Sequence, residues 1–444
     1  MSLIERIKYK VIDFLHIAGR CVMRPSFQQI ERELERHLNM IRLMADNEFK
    51  ARAMMKRLQG RPINVLFVCH EPTLWGMFES VYQAMAGDSG FAPNIVTLPY
   101  EHPTFSAGEY KDAGMAEFLE QKGVTVVRGY DKETQKWISP ATLRPDYVFF
   151  QTPYSFFPPE WCVDQVSLIA RVCFIPYGMC LFKGDVDKCV HPLSFFRSAH
   201  LIFKEGQILR DMFVEKFKQY EWFNERNTIV SGHPKLDYAE KTLVLTGSAW
   251  KRGMSKNVKR ILWTPRWRTQ EGTCHFFDYK DFFKNFCKNH LEVDFVFRPH
   301  PLCLRNFLKL EEMSLEQFSA MEFEYECSPN RVIDKTGSYQ DTFLTSDILV
   351  SDISSMMPEY FVTGKPIVYT HRVDQFNEFG VVLSKGFYWV RNEAELKSTL
   401  EMLLSGKDPL RVVRSEIIKT ELFKADGGAG LQITKRIWDD FNSC

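Results

Sequence analysis

The sequence lacks the features that mark membrane-spanning, disulfide-stabilised and nucleic-acid-binding proteins. Its 444 residues contain no apolar run of about 18 residues, so no spanning helix is expected. Eleven cysteines are scattered without a CxxC pair, which favours reduced thiols in a cytosolic protein over a disulfide or zinc framework. Lys and Arg number 57 against 56 Asp and Glu, so the net charge does not indicate a nucleic-acid partner.

Two further features that the sequence lacks narrow the class of protein. No repeat of short fixed period is present, which excludes a solenoid. The opening MSLIERIKYKVIDF carries charges where a signal peptide needs an apolar core, so a cytoplasmic protein is expected. The hydrophobic fraction of 45% is typical of a globular chain with sizeable cores.

The first 60 residues differ from the rest, with 12 Lys and Arg against 7 Asp and Glu. Apolar residues from Ile4 to Ala18 recur at helical spacing. A second helical stretch runs from about Gln28 to Leu58. Such a basic amphipathic segment either contacts an anionic membrane surface through residues 1–27 or packs on the domain that follows. The first interpretation predicts a peripheral protein on the inner face of the plasma membrane.

From residue 61 to residue 240, short apolar runs alternate with helical patterns. Strands alternating with helices predict a doubly wound α/β domain, here a first Rossmann-like domain that would bind the acceptor. The strands are expected near 64–69, 95–98, 124–127, 147–150, 172–175, 201–203 and 228–230. A helix is expected from Leu74 to Met85.

The alternation begins again after a polar linker at 241–259 and predicts a second Rossmann-like domain over 241–444. Its last helix is a candidate to cross back onto the first domain. Two open α/β domains in succession are expected to bind a ligand in a cleft at the carboxyl ends of their strands. Strands are expected near 261–263, 294–297, 348–350 and 366–369, with a helix from about Ser355 to Val362.

One polar segment follows the strand that ends at Val350. Ser351 and Asp352 lead into a helix whose free N–H groups could bind phosphate, with the hydroxyls of Ser354 and Ser355 as added donors. Glu359, one helical turn further on, could hold a ribose diol. The alternative is that Asp352 or Ser354 only caps the helix.

Two other segments after strands of the second domain are rich in cations. Arg298 can neutralise a phosphate, and His300 can donate to one or shuttle a proton. Arg266 and Arg268 could clamp a diphosphate. The alternatives are a structural histidine and surface arginines stacked on Trp267.

The first domain offers candidates for the acceptor side. His70 and Glu71 are candidate general bases, although each could be a cap or a buried residue. Tyr177 and Gly178 follow another strand, and the glycine allows close backbone approach.

A turn near the predicted domain boundary contains Gly232, His233 and Lys235. It follows a strand, and it is either a hinge that contributes to the site or a tight turn only.

Taken in order, these segments resemble the CDP-glycerol glycerophosphotransferase family of teichoic-acid and capsule polymerases, over roughly residues 170–385. The stretch 351–355 with Lys365-Pro366 is similar to the family's Asp-Tyr-Ser-Ser and Lys-Pro elements. Residues 298–301 match its Arg-x-His-Pro element, and residues 264–268 resemble its Ala-Pro-Thr-Trp-Arg element. Residues 232–237 resemble its Gly-Tyr-Pro-Arg-Asn-Asp turn. The resemblance implies a GT-B fold, with His300 at the donor diphosphate.

Two departures from the family pattern bear on the chemistry. Tyr177 stands where the family carries a proposed catalytic histidine, and tyrosine, with a pKa near 10, is a poorer base. Either His70 or Glu71 then takes that role, or the chemistry differs. Glu359 stands where the family often has Asp, which preserves the carboxylate.

The sequence therefore predicts a GT-B-like transferase that moves a polyol phosphate from a CDP-activated donor to a glycan or lipid-linked acceptor. The alternatives are a nucleotide-sugar glycosyltransferase for capsule or lipopolysaccharide synthesis and an inactive binding subunit of a polysaccharide assembly. The fold is also shared by nucleotide-sugar 2-epimerases. No tightly bound cofactor, no metal and no nucleic-acid partner are expected.

Overall fold

The structure is a computed structural model that describes residues 24–101, 109–183, 193–239, 245–300, 302–335, 339–370, 375–422 and 428–444. Side chains are described from residue 33 onward, except those of residues 34 and 35. Of the segment predicted to contact a membrane, residues 1–23 lie outside these ranges. The linker residues 240–244 lie outside them as well.

Helices and strands alternate along most of the chain. The α-helices are α1 Arg24–Leu58, α2 Glu79–Ala86, α3 Met115–Gln121, α4 Val163–Val166, α5 Leu193–Ser198, α6 Gln207–Phe217, α7 Phe276–Asn289, α8 Cys303–Lys309, α9 Leu315–Glu326, α10 Gln340–Thr345, α11 Met356–Phe361, α12 Glu378–Ser384, α13 Glu393–Leu404, α14 Arg411–Ile417 and α15 Gly428–Asn442. The strands are β1 Ile63–Cys69, β2 Phe91–Thr97, β3 Val127–Arg128, β4 Tyr130–Asp131, β5 Lys136–Trp137, β6 Tyr147–Phe150, β7 Arg171–Phe174, β8 Ala199–Lys204, β9 Thr228–Val230, β10 Lys259–Thr264, β11 Val293–Phe297, β12 Arg331–Ile333, β13 Ile348–Ser351, β14 Ile367–Thr370 and β15 Phe387–Val390.

Two parallel sheets organise these elements. The first has the strand order β3-β2-β1-β6-β7-β8-β9, and the second has the order β12-β11-β10-β13-β14-β15. In each sheet the chain starts in the middle, winds to one edge and then returns to wind to the other. The predicted doubly wound fold is therefore confirmed. The strand order reverses between β1 and β6 and between β10 and β13, where such folds bind ligands.

The first sheet is covered by apolar side chains on both faces. Along β1, Val65 and Phe67 belong to one buried cluster, whereas Leu66 and Val68 belong to another. This alternation follows from the period of two in a strand. Both faces are apolar because helices cover both sides of a parallel sheet.

The second sheet is covered on one side by an aromatic helix face. Phe276, Tyr279, Phe283 and Phe286 of α7 recur at intervals of three and four and are all buried. The ring of Trp263 in β10 stacks on Phe276 with centroids 5.5 Å apart. This packing fixes β10, the central strand from which the candidate site is built.

The chain divides into two compact units. The first consists of Met1–Tyr177, Asp187–Lys235 and Asp426–Cys444, and the second consists of Gly178–Val186 and Leu236–Ala425. The expected limit between residues 240 and 241 differs from this division. The last helix, α15, belongs to the first unit, and the short segment 178–186 belongs to the second. Each sheet lies wholly within one unit.

Two local expectations were wrong. The helix expected from Leu74 to Met85 is a 3-10 helix, Pro72–Met77, followed by α2. The 3-10 helix begins at Pro72 with Glu71 as its cap and ends at Phe78, from which α2 continues. The strand expected at 124–127 is reduced to the two residues of β3. The helix expected from about Ser355 to Val362 is confirmed as α11, which is one residue shorter at each end.

A buried polar network joins α15 to the first sheet. The carboxylate of Asp440 accepts hydrogen bonds from Tyr147 and Arg171, both at 2.7 Å, and contacts His200 at 3.1 Å. Arg171 also donates to Asp46 of α1 at 2.7 Å. Burial alone would raise the pKa of Asp440, but hydrogen bonding to His200, the charge of Arg171 and the Tyr147 hydroxyl hold it well below its ordinary value.

Replacement of Asp440 by Ala should destabilise the first unit by about 3–5 kcal/mol, because it leaves the buried Arg171 without one of its two carboxylates. The loss should be measured by urea denaturation near pH 7, with the exposed neighbour variant Asp439→Ala as control. A depressed pKa contributes stability above the unfolded value of about 3.9 and loses it as pH falls. The deficit should therefore shrink in acid. Equal stability of both variants at pH 7 would contradict this account.

Candidate functional site

Four adjacent strands of the second sheet end at one edge and place the candidate donor site there. Trp263 of β10 is paired with Phe297 of β11, and Thr264 is paired with Ser351 of β13. Phe297 is in turn paired with Ile333 of β12. Because neighbouring strands lie about 4.8 Å apart, the loops that follow these strands emerge side by side. The predicted Arg298, Arg266 and Asp352 each belong to one of these loops.

A pair of hydroxyls and a buried carboxylate tie the two central loops together. The hydroxyl of Thr264 donates to Ser351 at 3.0 Å, and that of Ser351 donates to the Thr264 carbonyl at 2.8 Å. Asp352 accepts the backbone N–H of Arg266 at 2.5 Å and that of His275 at 2.9 Å. Ser351 and Asp352 are both buried, so their side chains hold the loops in place.

Burial raises the pKa of Asp352 to about 7, although the N–H donors of His275 and Arg266 oppose the shift. Oδ1 accepts from Arg266 and Oδ2 from His275, and both bonds favour the charged form of the carboxylate. The sequence interpretation of Asp352 as a helix cap was wrong. Its bonds go instead to the loop after β10 and to the start of α7.

The two predicted clamp arginines share one carboxylate that the sequence analysis did not identify. The Nε of Arg266 donates to Oε2 of Glu271 at 2.8 Å, and Nη1 of Arg268 donates to Oε1 at 2.8 Å. Nη2 of Arg266 also donates to Oε2. Burial would raise the pKa of Glu271, but hydrogen bonds from Arg268 and Arg266 outweigh it and lower that pKa. Two guanidinium groups are therefore held at one place on the loop.

His300 lies against this arginine loop. Its ring stacks on Trp267 with centroids 5.4 Å apart and 22° between the planes. The guanidinium carbon of Arg268 lies 4.6 Å from the same Trp267 ring. Desolvation of the imidazole and the charges of Arg266 and Arg268 lower the pKa of His300 to about 4. The residue is exposed. The part of the pKa shift that comes from the arginine charges can be tested by substituting the arginines.

The hydrogen bonding of His300 indicates its tautomer. Its Nδ1 lies 3.1 Å from the backbone N–H of Leu302, which can only donate. In a neutral ring the proton is then carried by Nε2. His300 is thus a neutral donor at pH 7, suited to a hydrogen bond with an anionic oxygen and unsuited to abstracting a proton.

Arg298 is anchored by a buried carboxylate after β12. It forms an ion pair with Asp334, whose side chain is fully buried. Its guanidinium carbon lies 6.0 Å from the ring of Tyr339, and the Tyr339 hydroxyl donates to the carboxylate of Glu359. A chain of contacts therefore connects Arg298, predicted for phosphate, with Glu359, predicted for ribose.

The serines after β13 have different surroundings. Ser354 Oγ accepts the N–H of Met356 at 3.2 Å, as a cap would. Ser355 is exposed and makes no side-chain capping bond. Helix α11 is less than two turns long, so its dipole is a weak source of anion affinity. The hydroxyls and the neighbouring cations are the stronger part of this prediction.

The Lys-Pro element of the family resemblance has a structural role. Lys365 Nζ donates to the carbonyls of Leu344 at 2.5 Å and Ser346 at 2.6 Å. These carbonyls lie at the end of α10, so the lysine closes that helix terminus. Burial lowers the pKa of Lys365 to about 8.

In the first unit, His70 and Glu71 follow β1 at its strand-order reversal. Gln151, which follows β6, accepts the backbone N–H of His70 at 2.7 Å and that of Glu71 at 2.9 Å. The His70 ring is buried, with Tyr100 at 4.7 Å and Phe157 at 5.4 Å between centroids. Its burial makes His70 a poor candidate to reach a substrate.

Glu71 is partly exposed and already has a structural role. Its carboxylate accepts from the Thr73 hydroxyl at 3.1 Å and from the Tyr100 hydroxyl at 3.2 Å. It also accepts the Thr73 N–H as the cap of the 3-10 helix. The capping alternative is therefore what the structure contains. Burial and the charge of Glu71 raise the pKa of Tyr100 to about 12.

Tyr177 ends the first stretch of the first unit, and Gly178 begins a segment of the second. The hydroxyls of Tyr177 and Tyr154 lie 3.2 Å apart. A Cβ added at Gly178 would meet no atom within 4 Å, so the backbone of this segment does not itself require glycine there.

The predicted turn after β9 is a buried support. His233 Nε2 donates to the Pro176 carbonyl at 2.8 Å, and its Nδ1 accepts the N–H of Lys235 at 3.1 Å. Gly232 has a φ of 78°, the left-handed region that favours glycine. Burial and the Lys235 charge lower the pKa of His233 to about 3. The chain enters the second unit directly after Lys235.

Sequence reasoning missed the carboxylates and amide that position the predicted residues. They are Glu271, Asp334 and Gln151, to which the hydroxyl of Tyr339 can be added. Gln151 and Asp334 each follow a strand, which was a usable signal. Glu271 lies in a loop, and only its spacing of five and three residues from the two arginines could have indicated it.

A sequence model described as CDP-glycerol:poly(glycerophosphate) glycerophosphotransferase matches residues 207–388. These residues contain the whole arginine, histidine and serine cluster. The match confirms the resemblance and the predicted enzyme class, a glycerophosphotransferase-type transferase. A comparison with curated proteins gave no match.

Solved structures of two kinds are similar to the chain. The wall teichoic acid polymerase TagF is 13% identical, with a TM-score of 0.57 over 95% of this chain and 98% of that one. MnaA from S. aureus, in a co-structure with UDP, is 12% identical with a TM-score of 0.57 over 86% of this chain and 98% of that one. A UDP-N-acetylglucosamine 2-epimerase from Neisseria meningitidis, bound to UDP-GlcNAc, is 12% identical with a TM-score of 0.54 over 86% of this chain and 100% of that one. At these identities the likeness shows the GT-B fold.

Within the described ranges, no group of three His, Cys, Asp or Glu side chains is arranged to hold a metal ion. Over the same part of the chain, none of the helices combines the length and apolar character needed to cross a bilayer.

If the two arginines depress the pKa of His300, their removal should raise it. Arg266→Met and Arg268→Met should each move the pKa from about 4 toward the ordinary value of about 6.5. The measurement is an NMR titration of the imidazole, assigned by its loss in His300→Asn. The exposed Arg305→Met is the matched control. A pKa that stays unchanged in both arginine variants would contradict the assigned cause.

Proposed function

We propose that the protein transfers a polyol phosphate, of glycerol- or ribitol-phosphate type, from a CDP-activated donor to a glycan or lipid-linked acceptor. The observation that carries this proposal is the cluster of Arg266, Arg268 and neutral His300 at the carboxyl ends of β10 and β11. Three cationic or neutral donors at one sheet edge suit the oxygens of a diphosphate. The family match over the same residues favours the CDP-polyol donor.

The reaction would proceed by displacement at phosphorus. The acceptor hydroxyl attacks the phosphorus that carries the polyol, a new P–O bond forms, and the bond to the bridging oxygen breaks. CMP leaves with that oxygen, and the hydroxyl proton passes to a base. Catalysis would rest on positioning and on stabilising the charge that develops on the leaving oxygen.

Each donor-site residue has a role that its contacts support. Nε2–H of His300 would donate to a diphosphate oxygen, and the arginine pair would neutralise its charge. Arg298, oriented by Asp334, would contact the phosphate from the neighbouring loop. The Ser355 hydroxyl, exposed after β13, would add a donor. Glu359, which is buried and accepts from the Tyr339 hydroxyl, would accept from a ribose hydroxyl that reaches this position.

The base for the acceptor hydroxyl is the least supported role. His70 is buried and Glu71 serves as a cap, which leaves the partly exposed Tyr177 among the three candidates. Tyr177 requires a strongly lowered pKa to act as a base at neutral pH. A mechanism in which the hydroxyl proton leaves late, to a phosphate oxygen or solvent, demands no strong base. The membrane contact of residues 1–27 stays a prediction.

Incubation with CDP-glycerol, CDP-ribitol and nucleotide sugars should identify the donor through the nucleotide released. CMP is expected from a CDP-polyol. Release of UDP from a nucleotide sugar would instead indicate the glycosyltransferase alternative, and epimerised UDP-sugar without transfer would indicate epimerase chemistry. No turnover of any donor despite nucleotide binding would indicate a binding subunit.

His300→Ala should reduce kcat by about 10²–10³-fold, the range found when one positioned hydrogen-bond donor to a developing negative charge is removed. The fold should survive, because the residue has an exposed edge. The control is His37→Asn on the exposed face of α1, which should keep full activity. Full activity in His300→Ala with an intact circular dichroism spectrum would rule out the donor-site assignment.

A second test concerns the ribose. A hydrogen bond to a carboxylate contributes about 1.5–3 kcal/mol, so the wild-type kcat/KM should fall at least about tenfold when the donor lacks the ribose 2′-hydroxyl. Glu359→Gln should weaken this discrimination, whereas Glu378→Gln at the exposed start of α12 should leave it unchanged. Equal discrimination in Glu359→Gln and wild type would remove Glu359 from the ribose site.

A further inference from the structure

The loop after β10 contains a carboxylate to which the sequence pattern assigned no role. Oε2 of Glu271 accepts from Nε and Nη2 of Arg266, and Oε1 accepts from Nη1 of Arg268. Each oxygen thus holds a different guanidinium group. The side chains of Glu271 and Arg266 are 34% and 22% exposed, so the arrangement lies at the surface of the loop and within reach of a ligand.

We infer that Glu271 is a positioning residue for the diphosphate: it holds Arg266 and Arg268 side by side so that their remaining N–H groups form one anion-binding fork. This inference rests on the proposed function, because it assigns the diphosphate as the ligand of the fork. Glu271 itself would not touch the diphosphate, since a carboxylate repels a phosphate.

Charge repulsion explains why such a residue is needed. Two guanidinium groups close together repel each other, and each long side chain loses rotamer freedom when it is fixed. A shared carboxylate offsets both costs before the ligand arrives. A guanidinium has five N–H donors, of which Glu271 occupies two on Arg266 and one on Arg268. Most donors therefore remain for phosphate oxygens.

The surrounding loop is built to keep this geometry. The Arg266 N–H is fixed by Asp352, and the Trp267 carbonyl accepts from Asn306 Nδ2 at 2.8 Å. The Arg268 guanidinium lies over the Trp267 ring that also stacks on His300. Glu271 thus holds two arginines, one of which contacts the tryptophan on which His300 stacks.

Two opposite outcomes separate this role from its main alternative, in which Glu271 competes with the ligand for the arginines. A positioning carboxylate makes diphosphate binding tighter, so its removal weakens binding. A competing carboxylate makes binding weaker, so its removal tightens binding. Cytidine has no phosphate for the fork to bind, so its affinity should be unaffected by a positioning change.

The experiment is calorimetric titration of the full-length protein with CDP and with cytidine. Glu271→Gln should raise the Kd for CDP by about tenfold, the lower end of what carboxylates that orient ligand-binding groups contribute, and leave that for cytidine unchanged. Glu271→Asp should restore part of the affinity. Glu292→Gln, which alters a pairing with His290 in the same unit, is the control and should match wild type.

A double-mutant comparison excludes a general structural effect. In an Arg266→Met, Arg268→Met background, Glu271→Gln should cause no further loss of CDP affinity. A further loss there, or unchanged or tighter CDP binding in the single variant, would overturn the inference while leaving the proposed function intact. Failure of the wild-type protein to bind CDP would overturn both.

Discussion

The candidate donor site depends on one buried carboxylate at a reversal of strand order. Asp352 follows β13, and its two oxygens accept backbone N–H groups from the loop after β10 and from the start of α7. Together with the Asn306 bond to the Trp267 carbonyl, these bonds fix the path of the loop that contains the two arginines. The stacking of Trp263 on Phe276 fixes the strand beneath it. Apolar packing thus positions the strand ends, and the hydrogen bonds of Asp352 position the loops that follow them.

The site above Asp352 concentrates positive charge without charging its histidine. The arginines that would neutralise a diphosphate also keep His300 neutral, and the Leu302 N–H fixes which nitrogen carries the proton. Cations and a neutral donor together suit an anionic leaving group, because the donor adds a hydrogen bond without requiring another buried charge. Carboxylates also form ion pairs with the cations and hold them in place, as Asp334 does for Arg298.

The first unit has the same strand-order reversal, but different side chains lie beside it. Gln151 there takes the position that a carboxylate has in the second unit, and it holds the backbone of His70 and Glu71. Here the His70 side chain packs in the interior and the Glu71 side chain caps a helix. Neither is therefore placed to act as a strong general base. Together with Tyr177 in place of a histidine, this suggests that the chemistry depends more on the leaving group than on activation of the acceptor.

The doubly wound fold and the strand ends that precede the candidate residues could be predicted from the sequence. Buried strands and amphipathic helices each produce a repeating pattern of apolar residues, and these patterns alternate along the chain. The sequence also determined Arg266, Arg268, Arg298 and His300 as residues that follow strands. Only the tertiary structure decided which carboxylate each cation meets, that His70 is buried and that Ser351 bonds within the sheet. Those outcomes depend on contacts between residues far apart in the chain, such as Arg266 and Asp352, which are separated by 86 positions. Local sequence patterns do not indicate which distant residues will pair.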